Sequence, residues 1–358
     1  MKIFITGGAG FIGSHAAEYY ARRGDEVVVY DNLSRMTLLG KSSNAFLYNW
    51  EYLGQFKNVK LVKGDILDFE MLVEHIEYSD VIIHTAGQTG VTISYEDPIL
   101  DFNINALGTL NVLEAARRLS KAPTVIYCST NKVYGTNVNR LKLIEEKQRY
   151  RFSEKKYSNG IDESFSVDHC ERSPYGCSKM TGELYMQDYS SHYGIRTGIF
   201  RMSCIYGPRQ MGVEDQGWLA WFSAATMNQK EIAIYGDGKQ VRDVLYIDDL
   251  IAAYDAFIHK TDSSGVFNMG GGIQNTISLI ELLEQLEKII GKKSPLSFNE
   301  WRPNDQKVYI SDIQKAQREL GWNPKVSVVK GVENLVGWVS DRQDLFREVL
   351  EPKKLKMV

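Results

Sequence analysis

Short apolar, β-branched runs recur through the first 205 positions: Lys2–Ile5, Glu26–Tyr30, Val59–Val62, Val81–His84, Thr124–Cys128 and Arg196–Cys204. They are continuous rather than alternating, the pattern of strands buried on both faces of a parallel sheet. Between them the period changes to a helical one. Ser14 to Arg23 reads as a helix, and another starts near Asp68. Residues 98–119 put Leu100, Ile104, Leu107, Leu110 and Leu113 on one broad stripe and read as a single long helix. Ser173-Pro174 opens a further helix that runs to Gly194.

This alternation predicts an α/β fold built on a doubly wound parallel sheet. Beyond residue 205 it fades into a helix at 216–227, a strand at 232–235, a tight turn at 236–240, a helix capped by Asp248-Asp249 and a strand at 266–270. From Ser278 the chain reads as mainly helical. We therefore expect residues 1–205 to form the sheet, with 236–270 partly returning to it. Residues 206–235 and 271–345 should build a smaller, mixed α/β lobe, and 346–358 a tail. Residues 36–57 read as a loop with one helix. The charged stretch 139–160 has no sustained apolar period and reads as a lid or an oligomer contact rather than a second core.

The first strand breaks into Gly7-x-x-Gly10-x-x-Gly13, followed by a helix and by a second strand that ends on Asp31, eighteen residues after Gly13. That context turns a weak glycine motif into a dinucleotide site. The first glycine permits the turn, the second lets the backbone approach a pyrophosphate, and the third lets helix and strand pack closely. The helix opening at Phe11 and Ile12 presents unpaired N–H groups to phosphate. A carboxylate at Asp31 can bind both ribose hydroxyls and repels a 2′-phosphate, so NAD is expected over NADP. Arg35 is the one residue that would tolerate the extra phosphate. Asn32 and Ser34 belong to the turn that closes around the ribose. Asp65, with Ile66 beside it, either reaches the adenine amino group or caps the helix near Asp68. Ala86, Gly87 and Gln88 end the fourth strand in side chains that let a cofactor pass close, whereas His84 reads as a satisfied strand histidine. Asn103, Asn105 and Asn111 are poor helix formers, so polar duties are implied, and Asn105 is placed with the cofactor contacts.

Composition excludes more than it adds. With 43% hydrophobic and 24% charged residues, disorder is not expected, and a net charge of −3 gives no reason to expect nucleic acid or an anionic membrane. No apolar run has the length of a membrane span, and Met1 leads straight into the first strand, so a cytoplasmic protein is expected. Cys128, Cys170, Cys177 and Cys204 have no metal-ligand spacing; free thiols and no metal are expected.

Tyr175 and Lys179 stand four apart on one helix and share a face. An ammonium beside a phenol favours the phenolate, lowering the tyrosine pKa toward neutrality and making it a general base for a sugar or alcohol hydroxyl. Thr130, at the carboxyl end of a central strand, can donate to the same oxygen. A tyrosine–lysine pair alone is commonly a surface contact, and a Ser-Thr after a strand is commonly a helix cap. Their place downstream of a dinucleotide motif makes coincidence a poor account.

Here the sequence resembles the extended short-chain dehydrogenase/reductase family, with its nucleotide-sugar epimerases and dehydratases. The resemblance rests on TGGAGFIG, DNLSR, GDI, STNKVYG, YGCSK, YGPRQ, GDGKQVRD and WRPNDQ, and runs from Met1 to about Trp338. It implies a Rossmann-like NAD domain, catalysis by Thr130, Tyr175 and Lys179, and a nucleoside-diphosphate sugar whose pyrophosphate lies near Arg242 and Arg302. Read without it, those arginines are surface partners of Asp243 or Asp305. Asn131, Ser203, Gln216, Gln240 and Asp305 complete the expected substrate contacts. Dehydratases of the family carry Asp-Glu after the threonine. Here Asn131-Lys132 stands there, which disfavours dehydration. Many 4-epimerases carry an asparagine where this chain has Ser203-Cys204. The charged excursion ending in Asn159-Gly160-Ile161-Asp162-Glu163 and the run Asp215-Gln216-Gly217-Trp218 are most similar to the family's CDP-hexose 2-epimerases. A 2-epimerase acting on a CDP-sugar is therefore the leading expectation. A 4-epimerase, a net oxidoreductase and a silent NAD-binding regulator are the alternatives. The helices at 98–119 and 175–193 are expected to pair in a homodimer.

Overall fold

The β-branched runs pair because their two faces serve two different cores. Ile3 and Ile5 join one apolar cluster with Val27, Val29, Val81 and Ile83, while Phe4 faces the other with Val28, Ile82 and Val125. In a computed structural model that describes residues 1–39 and 44–350, these runs form a seven-stranded parallel sheet. Its strands are β1 (Lys2–Thr6), β2 (Glu26–Asp31), β3 (Val59–Lys63), β4 (Val81–His84), β5 (Thr124–Thr130), β6 (Arg196–Met202) and β7 (Gly265–Met269). The order β7-β6-β5-β4-β1-β2-β3 has its switch point between β1 and β4, and ligands bind at the carboxyl ends beside such a point. The register is in phase across the centre: Ile5 lies beside Val29 and Ile83, and Ile83 beside Ile126. Helices Phe11–Arg22 and Ile247–Lys260 cover one face, and Phe69–Ile76, Gly108–Arg117 and Pro174–Tyr193 the other.

Three local features shape the site. The helix expected as one piece over 98–119 runs from Pro98 to Arg117, but Asn103–Leu107 forms a π turn within it. That wider turn carries buried Asn105, and such bulges cluster at functional positions. Helix Pro174–Tyr193 starts on Ser173, whose hydroxyl accepts from the Gly176 N–H at 3.2 Å, and stops at left-handed Gly194. Its fully buried Glu183 pairs with Arg201 of β6 at 2.7 Å and accepts from the Ser129 hydroxyl of β5 at 2.5 Å.

The remaining strands stand apart from the main sheet. Cys204–Tyr206, Val241–Tyr246, Thr276–Ser278 and Val308–Tyr309 form one small mixed sheet, and Ile232–Tyr235 pairs with Leu296–Asn299. Of residues 236–270, strand β7 and helix Ile247–Lys260 return to the main sheet, whereas Val241–Tyr246 does not. The 139–160 stretch departs from expectation. It folds into a hairpin, Leu143–Glu145 with Tyr150–Phe152, whose Tyr150 and Phe152 enter a third core with Val241, Val308 and Tyr309. Two buried aromatics suffice there, too few to produce a readable period. The expected tail from 346 instead begins inside helix Gln343–Val349, with Phe346 and Val349 fully buried. The basic Lys353-Lys354-x-Lys356 lies outside the described residues. Between 35 and 57 the chain makes a short helix, Arg35–Leu38, and a second, Tyr48–Leu53.

His84 is the buried strand histidine the sequence suggests. Its Nδ1 meets the Thr6 hydroxyl at 2.7 Å and its Nε2 the Thr109 hydroxyl at 3.0 Å. Burial, helped by the Lys179 ammonium, lowers its pKa from 6.5 to about 3. The unfolded chain therefore binds a proton here that the folded chain does not, so stability falls as pH drops from 6.5 toward 3. Relative to wild type, His84→Asn should lose less stability between pH 7 and 5, by up to about 2 kcal/mol, read from urea unfolding at the two pH values.

Candidate active site

The carboxyl ends of β1, β2, β4 and β5 open on a cleft of about 430 Å³. Its floor is the glycine turn. Gly7 has φ +66°, and a Cβ there would stand 2.5 Å from the Ala86 nitrogen, so only glycine lets the β1 and β4 loops touch. A Cβ on Gly13 would meet the Gly7 carbonyl oxygen at 2.5 Å, which explains the close helix–strand packing. At Gly10, by contrast, the nearest atom is that oxygen at 3.0 Å, and the remaining space is the cleft. No side chain caps the helix at Gly10, so the N–H groups beginning at Phe11 and Ile12 stay available to an anion. The chemistry and shape fit a dinucleotide pyrophosphate.

The ribose end fits as well. The Asp31 carboxylate accepts from the Ala9 N–H at 3.0 Å and the Leu33 N–H at 2.8 Å; burial raises its pKa despite those bonds. Its remaining lone pairs face the cleft it lines. Asn32 donates to Asp65 at 2.9 Å and accepts from the Ser34 N–H at 3.0 Å. Asp65 also accepts from the Leu67 N–H at 2.9 Å, whereas the cap of the next helix is Asp68. The capping alternative for Asp65 is thus excluded. Ile66, Ala86 and Gly87 line the cleft. Asn105 does not. It stands behind Gln88, accepting from its N–H at 3.0 Å and donating to its carbonyl at 2.9 Å. Arg35 is engaged by the Gln216 carboxamide at 2.8 Å and the Met211 carbonyl at 3.2 Å, and burial lowers its pKa to about 10 against the pull of Asp31.

Thr130 and Tyr175 line the inner end of this cleft. Burial pushes the Tyr175 phenol up to about 12, a rise that its hydrogen bond with Thr130 only partly offsets. This corrects the sequence expectation. Lys179 shares the helix face, but its ammonium lies 4.1 Å above the Tyr127 ring and does not appreciably lower the Tyr175 pKa. Burial instead lowers Lys179 to about 8. Helical spacing fixed the face and not the direction of the side chain.

A second cavity, about 300 Å³, adjoins the first. Arg242 pairs with Asp305 at 2.8 Å, Lys132 reaches the same carboxylate at 3.5 Å, and Arg302 pairs with Asp215 at 2.8 Å. Burial raises the Asp305 pKa, but Arg242 and Lys132 outweigh it and hold the carboxyl below its ordinary value. Arg302 also lies 4.0 Å over the Tyr235 ring, and Gln240 donates to the Tyr235 carbonyl at 2.8 Å. Asp243, one of the two ion-pair partners considered for the arginines, instead accepts from the Gly272 N–H. Asn131 and Ser203 sit on the first cavity; Asn131 donates to Gln306 at 3.2 Å, and Ser203 to the Asp243 carbonyl at 2.9 Å. Gln216 lines both cavities and spans from Arg35 to the Thr89 hydroxyl. Lys132, Asp215 and Tyr235 are additions that sequence reasoning did not assign. Only Lys132, a cation beside the threonine, carried a signal. The four cysteines are unpaired, and among the described residues no group of three or more His, Cys, Asp or Glu is arranged to hold a metal ion. No helix among them is long and apolar enough to cross a membrane.

Against this geometry, the family model described as GDP-mannose 4,6 dehydratase matches residues 4–335. The chain belongs to this family, within the extended short-chain dehydrogenases/reductases. It is 39% identical over 349 residues to a CDP-paratose 2-epimerase from Salmonella typhi, covering 95% of this chain and 99% of that one. Among solved structures it is similar to the UDP-glucose 4-epimerase of Thermotoga maritima with UDP-glucose (TM-score 0.79, 29% identity, 96% of this chain and 99% of that one). It is also similar to the UDP-glucuronic acid 4-epimerase of Bacillus cereus in complex with UDP-glucuronic acid and NAD (TM-score 0.76, 29% identity, 96% and 100%).

Proposed function

We propose that this chain is an NAD-dependent epimerase that inverts C2 of a CDP-hexose, of the CDP-paratose to CDP-tyvelose type, with CDP-glucose as a further candidate substrate. The observation that carries the reading is the meeting of two cavities. Thr130 and Tyr175 line a dinucleotide-shaped cleft that shares Lys132, Cys204 and Gln216 with a cavity walled by Arg242 and Arg302. In this reading Asp31 binds the adenosine ribose and the uncapped helix start the pyrophosphate of NAD. Arg242 and Arg302 exchange their carboxylate partners for the pyrophosphate of the sugar nucleotide, as planar guanidiniums suit. Residues 206–235 and 271–345 then supply most of the sugar-nucleotide lobe.

NAD would accept and return a hydride and, when oxidised, add positive charge near Tyr175. Thr130 would donate to the reacting sugar oxygen. Tyr175, once that charge has let its phenol release its own proton to solvent, would take the hydroxyl proton as a phenolate while the C2–H bond gives up its hydride. The sugar becomes a 2-ketone, turns, and regains hydride at C2 and its proton from Tyr175. Lys179, with its lowered pKa of about 8, lies over the Tyr127 ring and lines neither cavity, so to hold the nicotinamide ribose its ammonium would have to turn toward the cleft.

The choice of C2 and cytosine rests on the 39% identity to the Salmonella enzyme, while Asn131-Lys132 speaks only against dehydration. A 4-epimerase is the second reading, favoured by the structural likeness to two such enzymes. NMR of purified enzyme with CDP-paratose in D₂O and no added cofactor separates them. A 2-epimer without deuterium at C2 is expected; a 4-epimer would overturn the carbon assignment, and accumulation of an oxidised sugar would overturn epimerisation. Tyr175→Phe should retain bound NAD yet lose at least ~10²-fold in turnover, and near-normal turnover would remove it from the mechanism.

The same reading includes a homodimer. Ile99, Phe102, Leu184 and Tyr193 are exposed on the helices around 98–117 and at 174–193, an apolar surface that suits burial against a second copy. Light scattering should give twice the chain mass, and Phe102→Glu with Leu184→Glu should shift it to the monomer.

A further inference from the structure

The hairpin at 143–152 is a feature of the sequence that the site described above does not use. It packs on its own chain, against the turn Gly236-Asp237-Gly238-Lys239 that separates two pocket residues. Tyr235 enters this turn beneath Arg302, and Gln240 leaves it with its carboxamide bonded back to the Tyr235 carbonyl; both line the second cavity. Gly236 and Gly238 have φ of +91° and +80°, so the turn is made of residues with wide backbone freedom.

Part of what removes that freedom is local, with the Gly236 N–H donating to the Asn299 carbonyl at 2.9 Å and the Gly238 carbonyl accepting from the Ile280 N–H at 3.1 Å, and part comes from the hairpin. The Tyr150 N–H donates to the Lys239 carbonyl at 3.0 Å, and the Tyr150 hydroxyl to Asp237 at 2.5 Å. Lys239 pairs with Glu145 at 2.5 Å. The hairpin is itself anchored to the start of helix Leu279–Ile290, where Arg149 pairs with Glu281 at 2.5 Å and Ser278 donates to the Gln148 carbonyl at 2.7 Å. Trp301, next to Arg302 and packed on the same core as the hairpin, covers Gly236 so closely that a Cβ there would lie 2.6 Å from its ring. The turn is held by hairpin and tryptophan together, and the pocket wall is its continuation.

We propose that the 143–152 hairpin is a buttress that preorganises the sugar-nucleotide cavity, with Tyr150 as its positioning residue acting through Asp237 and Lys239 on Tyr235 and Gln240. The hairpin lines neither cavity. Its effect is to remove the ordering cost that a free glycine turn would impose on each binding event. The inference rests on the nucleotide-sugar reading of the cavity.

The test is Tyr150→Phe in the full-length holoenzyme, which keeps the buried ring and deletes the bond to Asp237. KM for the nucleotide sugar should rise about tenfold with kcat within about twofold, the signature of lost binding common to ground and transition states. Amide exchange should quicken at Gly238–Gln240. Adding Asp237→Asn to Tyr150→Phe should raise KM no further, since both remove one interaction. An unchanged KM and unchanged exchange would overturn the proposal, as would equal losses in kcat and thermal stability with KM unaltered. A wild-type enzyme that turns over no nucleotide sugar would sink the functional reading, while the exchange measurement would still judge the buttress.

Discussion

Glu183 has no exposed surface, and a carboxylate so placed is tolerable only if its oxygens are taken. Arg201 supplies three hydrogen bonds that reach both oxygens, and Ser129 a fourth to one of them. Those groups come from β6 and β5, so one buried ion ties helix Pro174–Tyr193 to the two strands whose ends form the site. Thr130 follows Ser129 directly, and Tyr175 and Lys179 lie two turns before Glu183 and nearer. Removing either charge would leave its partner uncompensated at a cost of about 3–5 kcal/mol, so the spacing of Thr130 from Tyr175 is held by a strong constraint placed away from the reacting atoms. Arg201 also donates to Tyr134 at 3.1 Å, and Tyr134 to Asn268 at 2.8 Å, which extends the constraint to β7.

Charge organises the other half of the site. Lys132 and Arg242 share Asp305, and Arg302 holds Asp215. Over the whole lining Lys132, Arg172, Arg242 and Arg302 face Glu171, Glu214, Asp215 and Asp305, so the wall is balanced and an anion must displace carboxylates to bind. An incoming pyrophosphate on the proposed reading would compete for arginines already desolvated and oriented, so less side-chain ordering is left to the binding step. Asp305 and Asp215 keep the cations in position meanwhile. The price is affinity, because each exchange breaks an existing ion pair.

The parts of this arrangement written locally were legible in the sequence. Gly7, Gly10 and Gly13 needed only their spacing and flanking strands, and Asp31 only its place at the end of β2. Continuous Val/Ile runs identified the strands because both faces are buried, which is also why the cores alternate along each strand. What depends on side-chain direction was not legible. Asn105 was assigned to the cofactor, yet the π turn aims it at Gln88. Asp243 and Asp305 are the partners the sequence offers Arg242 and Arg302; the fold gives Asp305 to Arg242 but delivers Asp215, from a distant loop, to Arg302. The hairpin at 143–152 failed a periodicity test because its stability comes from Tyr150, Phe152 and specific ion pairs rather than from an apolar stripe.

Tyr175 and Lys179 show the same division and carry it into mechanism. Four-residue spacing placed them on one face, and the simple expectation was an ammonium that acidifies the phenol. The structure instead buries both, and burial disfavours the charged form of each. A phenol near 12 lies about 3 kcal/mol further from ionisation than a free tyrosine, with Thr130 already counted. The protein's own groups therefore hold Tyr175 protonated at neutral pH. For this residue to act as a base, positive charge must arrive beside it, and the oxidised nicotinamide of the proposed cofactor carries that charge while the reduced one does not. Proton abstraction would then be favoured in the redox state that can accept a hydride, and proton return in the state that can give one back. A buried, unassisted tyrosine is in this sense better suited to a closed cycle of oxidation and reduction than one kept permanently acidic by its lysine.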